Sequence, residues 1–152
     1  MSPSDPAIRF FRFPRSVDRK PLETFAALLR KRVARGRDFG CLVTTDAELQ
    51  RLNREFRRKD YPTDVLSFPT ASAAASPDDY LGDLAISWQR AREQARDFGH
   101  DIETEIRILM LHGMLHLTGL DHETDQGQMS RAEKRWRRIF DLPAGLIERV
   151  SA

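Results

Sequence analysis

The chain has 152 residues, 40% apolar and 32% charged, with two Trp and nine Phe. That is enough for one core of ordinary size, so a single domain spanning 1–152 is expected without covalent staples. The lone Cys41 excludes an intramolecular disulfide, and neither a basic-then-apolar leader nor an apolar run of membrane-spanning length is present, so the expectation is a soluble, cytoplasmic protein.

The formal net charge is only +2, but residues 1–60 carry 15 basic and 8 acidic groups and residues 61–152 carry 10 and 15. Such a split can steer a polyanion to one side of a molecule, although ordinary solvated helix faces produce it as well.

In chain order, "IRFFRF" (Ile8 to Phe13) reads as an edge strand stopped by Pro14. The apolar positions Leu22, Phe25, Leu28, Leu29 and Val33, with Pro21 at the start and Gly36 beyond the end, predict the first helix. "GCLVTT" reads as a second strand, with Cys41 a buried structural thiol. Thr45 with Glu48 three residues on makes a capping box, and Leu49, Leu52 and Phe56 give the following helix a buried stripe. "DVLSFP" is a third strand; residues 70–80 read as an exposed loop; "LGDLAIS" is a fourth strand. Ser87 caps a helix running to about Gly99, and Asp101 caps the next. That next helix, "IETEIRILMLHGMLHLTG", is apolar around most of its girth and is expected to be the buried centre of the fold, ended by Gly119. A last helix, roughly Gln128 to Phe140, has Met129, Ala132, Trp136 and Phe140 as its inner stripe, and a tail begins at Pro143. The sum is an α+β domain with about four strands in a mixed sheet and about five helices.

The stretch "HGMLHLTGLDH" holds three of the four histidines. His112 and His116, four apart on a helix, lie one above the other, and His122 returns toward them after Gly119. Zinc takes imidazole nitrogens at about 2.0 to 2.1 Å, and three protein ligands with an open fourth position is its catalytic arrangement. Three neutral imidazoles buried without a shared partner would leave polar groups unmet, so a common metal is the stronger reading. Asp121, Glu123 and Asp125 remain open as a fourth ligand. In zinc proteases of this spacing a glutamate follows the first histidine as general base; here Gly113 stands instead, and the protease reading loses its base.

The same stretch resembles the signature of the bacterial YbeY family of zinc-dependent, single-strand-specific endoribonucleases, and "LNREFRRKDYPTDVLSFP" (Leu52 to Pro69) and "LGDLAIS" (Leu81 to Ser87) resemble further blocks of that family in the same order. The resemblance implies that His112, His116 and His122 hold one Zn2+, with nickel or another transition metal an alternative occupant. It implies that Arg57 faces the metal cleft. It also implies a role in 16S rRNA 3′-end maturation and ribosome quality control, with single-stranded rRNA and the small ribosomal subunit or its associated factors as partners, and neither membrane nor DNA among them. Leu120 stands where many members carry tyrosine.

Arg57 suits phosphate because its planar fork bonds bidentately and stays charged. Arg58, Lys59, Arg51 and Arg54 are candidates to hold flanking backbone, and Phe56, Tyr61 and Phe68 could stack on bases, although Phe56 and Phe68 are expected in the core. Asp83 and Asp121 are the candidates to orient a ligand ring or manage a proton, and the RNA 2′-hydroxyl is the alternative nucleophile. Two rival functions stay open: a zinc hydrolase of another phosphoester or peptide, and a non-catalytic ribosome-associated factor with a structural metal.

Overall fold

The computed structural model describes residues 7–59, 63–70 and 80–151. The elements in order are β1 (Ala7–Phe10), α1 (Lys20–Arg32), β2 (Gly40–Thr44), α2 (Asp46–Arg57), β3 (Val65–Pro69), β4 (Gly82–Ser87), α3 (Trp88–Phe98), α4 (Ile102–Leu117), α5 (Gln128–Ile139) and α6 (Leu146–Ser151). The four strands form one mixed sheet in the order β1-β2-β4-β3. β1 runs parallel to β2, and β2 to β4, while β3 pairs antiparallel to β4 in the register Val65↔Ile86 to Pro69↔Gly82. This is the α+β architecture expected. The loop read at residues 70–80 falls mostly outside the described residues, as does Tyr61.

Local signals set most boundaries. Thr45 Oγ1 accepts from the Glu48 N–H at 3.3 Å, and Ser87 Oγ from the Arg90 N–H at 3.1 Å, each relieving one unpaired donor of a first turn. The Glu48 carboxylate does not return to close the box; Arg51 takes it up instead. Asp101 occupies the cap position of α4 without a side-chain cap bond.

Three expectations need correction. β1 ends at Phe10 rather than Phe13, because Arg12 turns into the left-handed region (φ 53°) and redirects Phe13 into the core. The stretch read as a tail contains a sixth helix, α6, too short for a periodic pattern and held by bonds to distant residues. Phe56 is 62% exposed instead of buried, since the cluster beneath α2 is only Leu49, Leu66 and Ala85 with Leu52 and Phe68 at its margin. Phe56 rests edge-on against the ring of Phe68, which is itself only partly buried.

The pleat divides the sheet into two unequal faces. Cys41, Val43, Leu84 and Ile86 point into the main core with α1, α3, α4 and α5, while Leu66 and Ala85 point to the other side under α2. α4 lies at the centre, with Ile106, Leu109, Met110 and Met114 wholly buried. Cys41 is 3% exposed, and burial, helped by the charge of Asp83, pushes its thiol pKa up to about 12, which fits an inert structural residue.

Candidate metal centre

Helix α4 runs along the sheet so closely that one position has no free space for a side chain unless its neighbours shift. A Cβ on Gly113 would stand 2.7 Å from Leu84 Cδ2 and 3.3 Å from both Ser67 Oγ and Val65 Cγ2. Ser67 Oγ also donates to the Gly113 carbonyl at 3.2 Å. The residue after His112 therefore faces β3 and β4, not the cleft, and a glutamate base has no room there.

The adjoining side of the last turns of α4 carries His112 and His116. Gly119 (φ 103°) then reverses the chain in a conformation that disfavours other residues, and the turn opened by Asp121 returns His122. The three rings meet with centroids 4.9, 5.6 and 5.7 Å apart. Their nearest ring nitrogens all lie within 4.8 Å of one another, and among the described residues this is the one such group of potential ligands. Two acids of the turn bond its own backbone: Asp121 Oδ1 accepts from the Glu123 N–H, and Asp125 accepts from the N–H groups of Gly127 and Met129. Those two bonds hold the Asp125 carboxyl below its ordinary pKa and tie it to the start of α5.

Outer bonds decide which nitrogens face inward. His112 Nδ1 lies 2.7 Å from Glu133 Oε2, both side chains buried, and His116 Nδ1 lies 2.9 Å from the Leu120 carbonyl. A carbonyl can only accept, so His116 Nδ1 is the protonated nitrogen and Nε2 keeps its lone pair. Burial, reinforced by the neighbouring His112, holds His116 below the ordinary histidine pKa, which favours the neutral form that binds metal. The donor set fits a transition metal: three imidazoles converge, and two of them spend their Nδ1 atoms elsewhere. The group could hold one ion.

These rings border a cleft of about 590 Å³, also lined by Arg57, Thr63, Asp64, Ser67, Thr70, Asp121 and Glu123. The fold thus brings Arg57 and Asp121 to the histidines, and Lys59 joins them at the rim. It does not bring Asp83. Asp83 shares the sheet face of Ala85, opposite Leu84 and α4, where it accepts from the Tyr80 hydroxyl at 2.6 Å in a separate pocket. Alternation along β4 is the physical reason, since neighbours of a core-facing residue must point the other way.

Two residues passed over at the level of sequence belong here. Glu133 sits on the same α5 face as Met129 and Ala132, and a carboxylate on that inner stripe was the available signal. Asp64, just ahead of β3, borders the cleft on both sides of His112 and His122, and its Oδ2 accepts from Gln94 Nε2 at 3.1 Å.

Residues 17–141 match the family described as Endoribonuclease YbeY. The chain is 57% identical over 151 residues to the endoribonuclease YbeY of Solibacter usitatus, covering 99% of each. It is 46% identical to that of Koribacter versatilis, covering 89% of this chain and 86% of the relative, and 40% identical to that of Helicobacter pylori, covering 86% and 92%. Among solved structures, the solution structure of TM1509 from Thermotoga maritima superposes with a TM-score of 0.57 at 30% identity, covering 85% of each chain.

Proposed function

The chain belongs to the endoribonuclease YbeY family, and from that membership and the geometry of the cleft we propose that it is a zinc-dependent, single-strand-specific endoribonuclease. Its substrate on this reading is rRNA of the small ribosomal subunit, in 16S 3′-end maturation and late quality control in the cytoplasm. No helix of the described residues is long and apolar enough to cross a membrane. The observation that carries the reading is the convergence of three imidazoles on one wall of a cleft that also holds Arg57.

Zinc, when bound by His112, His116 and His122, supplies Lewis acidity toward a phosphoryl oxygen and its attacking hydroxyl; three imidazoles also accept nickel. The remaining work falls to the chain. Arg57, a planar and permanently charged donor on the facing helix, grips non-bridging oxygens of the scissile phosphate and offsets the charge that builds there. Lys59 at the rim holds a flanking phosphate as a point charge. Of the cleft carboxylates Asp64, Asp121 and Glu123, the first two take the role of proton acceptor, the role that the glutamate after the first histidine fills in a zinc protease. Gly113 and its tight seam against β3 and β4 weigh against peptide hydrolysis.

The deciding experiment combines metal analysis of the purified protein with cleavage of single-stranded and duplex RNA by the wild type, Arg57→Ala and His112→Ala. Metal at one ion per chain, cleavage confined to single strands, and loss in both variants support the proposal. RNA binding without cleavage at any metal loading overturns the nuclease reading in favour of a maturation factor with a structural metal. The 3′ ends of the product identify the nucleophile: a 2′,3′-cyclic phosphate implicates the RNA 2′-hydroxyl, and its absence implicates water.

A further inference from the structure

Glu133 is 1% exposed and has two hydrogen-bond partners that lie in different directions. Oε2 faces His112 Nδ1 at 2.7 Å, and Oε1 accepts the backbone N–H of Ile147, the second residue of α6, at 2.9 Å. We propose that Glu133 is a positioning residue that holds His112 in its Nδ1–H tautomer, and that α6, through Ile147, holds Glu133 in place to do so. The inference rests on the metal-centre reading for its consequence but not for its geometry.

The backbone N–H of Ile147 can only donate, so Oε1 must accept. With a carboxylate, the second oxygen is an acceptor too, which requires a proton on His112 Nδ1 and, in the neutral ring, leaves the Nε2 lone pair for the cleft. An amide at this position has a single acceptor. Given to Ile147, it turns its NH2 toward His112, makes Nδ1 the acceptor and moves the ring proton to Nε2, where it blocks ligation. Given to His112, it abandons α6.

The C-terminal segment is built to hold this arrangement. A Cβ on Gly145 would stand 2.6 Å from Glu133 Cδ, so the chain entering α6 passes the carboxylate too closely for a side chain at this position. Arg149, two residues beyond Ile147, clamps the fully buried Glu105 of α4 with bonds of 3.2 and 3.0 Å. Glu148 pairs with Arg137 of α5. A helix that contributes no ligand is thereby tied to the metal helix, to the helix beside it, and to the one carboxylate that orients a ligand.

The test compares the wild type with Glu133→Gln. Long-range 1H–15N NMR of the metal-free proteins reads the His112 tautomer, and competition with a chelator reads zinc affinity. The wild type is expected to carry the proton on Nδ1; Glu133→Gln is expected to populate Nε2–H and to bind zinc about 10- to 100-fold more weakly. A folded Glu133→Gln protein with an unchanged tautomer and zinc affinity within twofold of wild type overturns the proposal. Should that variant not fold, Gly145→Ala, which displaces the same carboxylate from behind, must shift the tautomer, and an unshifted ring overturns the proposal equally. A wild type that binds no transition metal sinks the metal-centre reading, while the tautomer measurement still decides the role of Glu133.

Discussion

Gly113 and Leu84 meet at the seam between α4 and the sheet, with no space between them for even a methyl group. Two requirements share this helix: one side must lie flat on β3 and β4, and the side next to it must present His112 and His116. Alanine at 113 gains about 1 kcal/mol of helix propensity but overpacks the seam at a cost of about 1–3 kcal/mol. Gly113→Ala is expected to lower stability by about 1 kcal/mol in a urea titration. Gly113→Glu is expected to prevent folding rather than to confer peptidase activity; a folded Gly113→Glu protein with a peptidase signal would refute this account of the motif.

Arg57 is exposed at the end of α2 and supports little of the core, so its loss should be felt in the reaction and not in the fold. Arg57→Ala is expected to reduce kcat for a single-stranded RNA by about 10²–10³-fold, with metal content and Tm unchanged. Arg57→Lys should recover only part, because an ammonium cannot bond two phosphate oxygens in a fixed plane. Full recovery by lysine would reduce Arg57 to a source of general positive charge.

Metal removal should act on activity and stability together. Chelation is expected to abolish cleavage reversibly, and readdition of zinc at 100 times its Kd should raise stability by about 2.7 kcal/mol through binding to the folded state alone. An identical Tm with and without zinc would argue against the three-histidine site.

Asp83 faces away from the metal cleft and bonds Tyr80 on the far side of the sheet. Asp83→Asn is accordingly expected to leave zinc affinity and the cleavage rate of a short single-stranded RNA within about twofold of wild type, where removal of a metal-orienting group costs about 10- to 100-fold. A loss of that larger size would return Asp83 to the site.

Arg137 hydrogen-bonds the Glu148 carboxylate and holds its pKa below the ordinary glutamate value. A depressed folded-state pKa contributes stability that is complete above the unfolded value, about 4.3, and is lost as pH falls through the folded value. Glu148→Gln is expected to cost about 1 kcal/mol or less at pH 7 and nothing at a pH below the folded value, where wild type and variant should melt together. A difference that persists in acid would show that the glutamine harms packing rather than removing a charge pair.

Much of this architecture was legible in the chain. The caps at Thr45 and Ser87, the girth of apolar residues on α4 and the turn at Gly119 are local matters, decided within a few residues of sequence by hydrogen-bond supply and backbone freedom. The convergence of His112, His116 and His122 is nearly as local, since a helical turn and one reversal suffice to produce it. α6 and the exposure of Phe56 were not legible, because each depends on what lies across the fold and not on neighbours in sequence.

The same division separates the candidate site residues. Sequence alone determined the ligand spacing and the missing protease base, because both are properties of one helix and its end. Only the tertiary structure decided that Asp83 belongs to the other face of the sheet, that Asp64 borders the cleft, and that Glu133, reached from α5 and steadied by α6, stands behind His112. A carboxylate acquires such a role from the partner it meets, and that meeting is fixed by strand pairing and helix packing between residues distant in the chain.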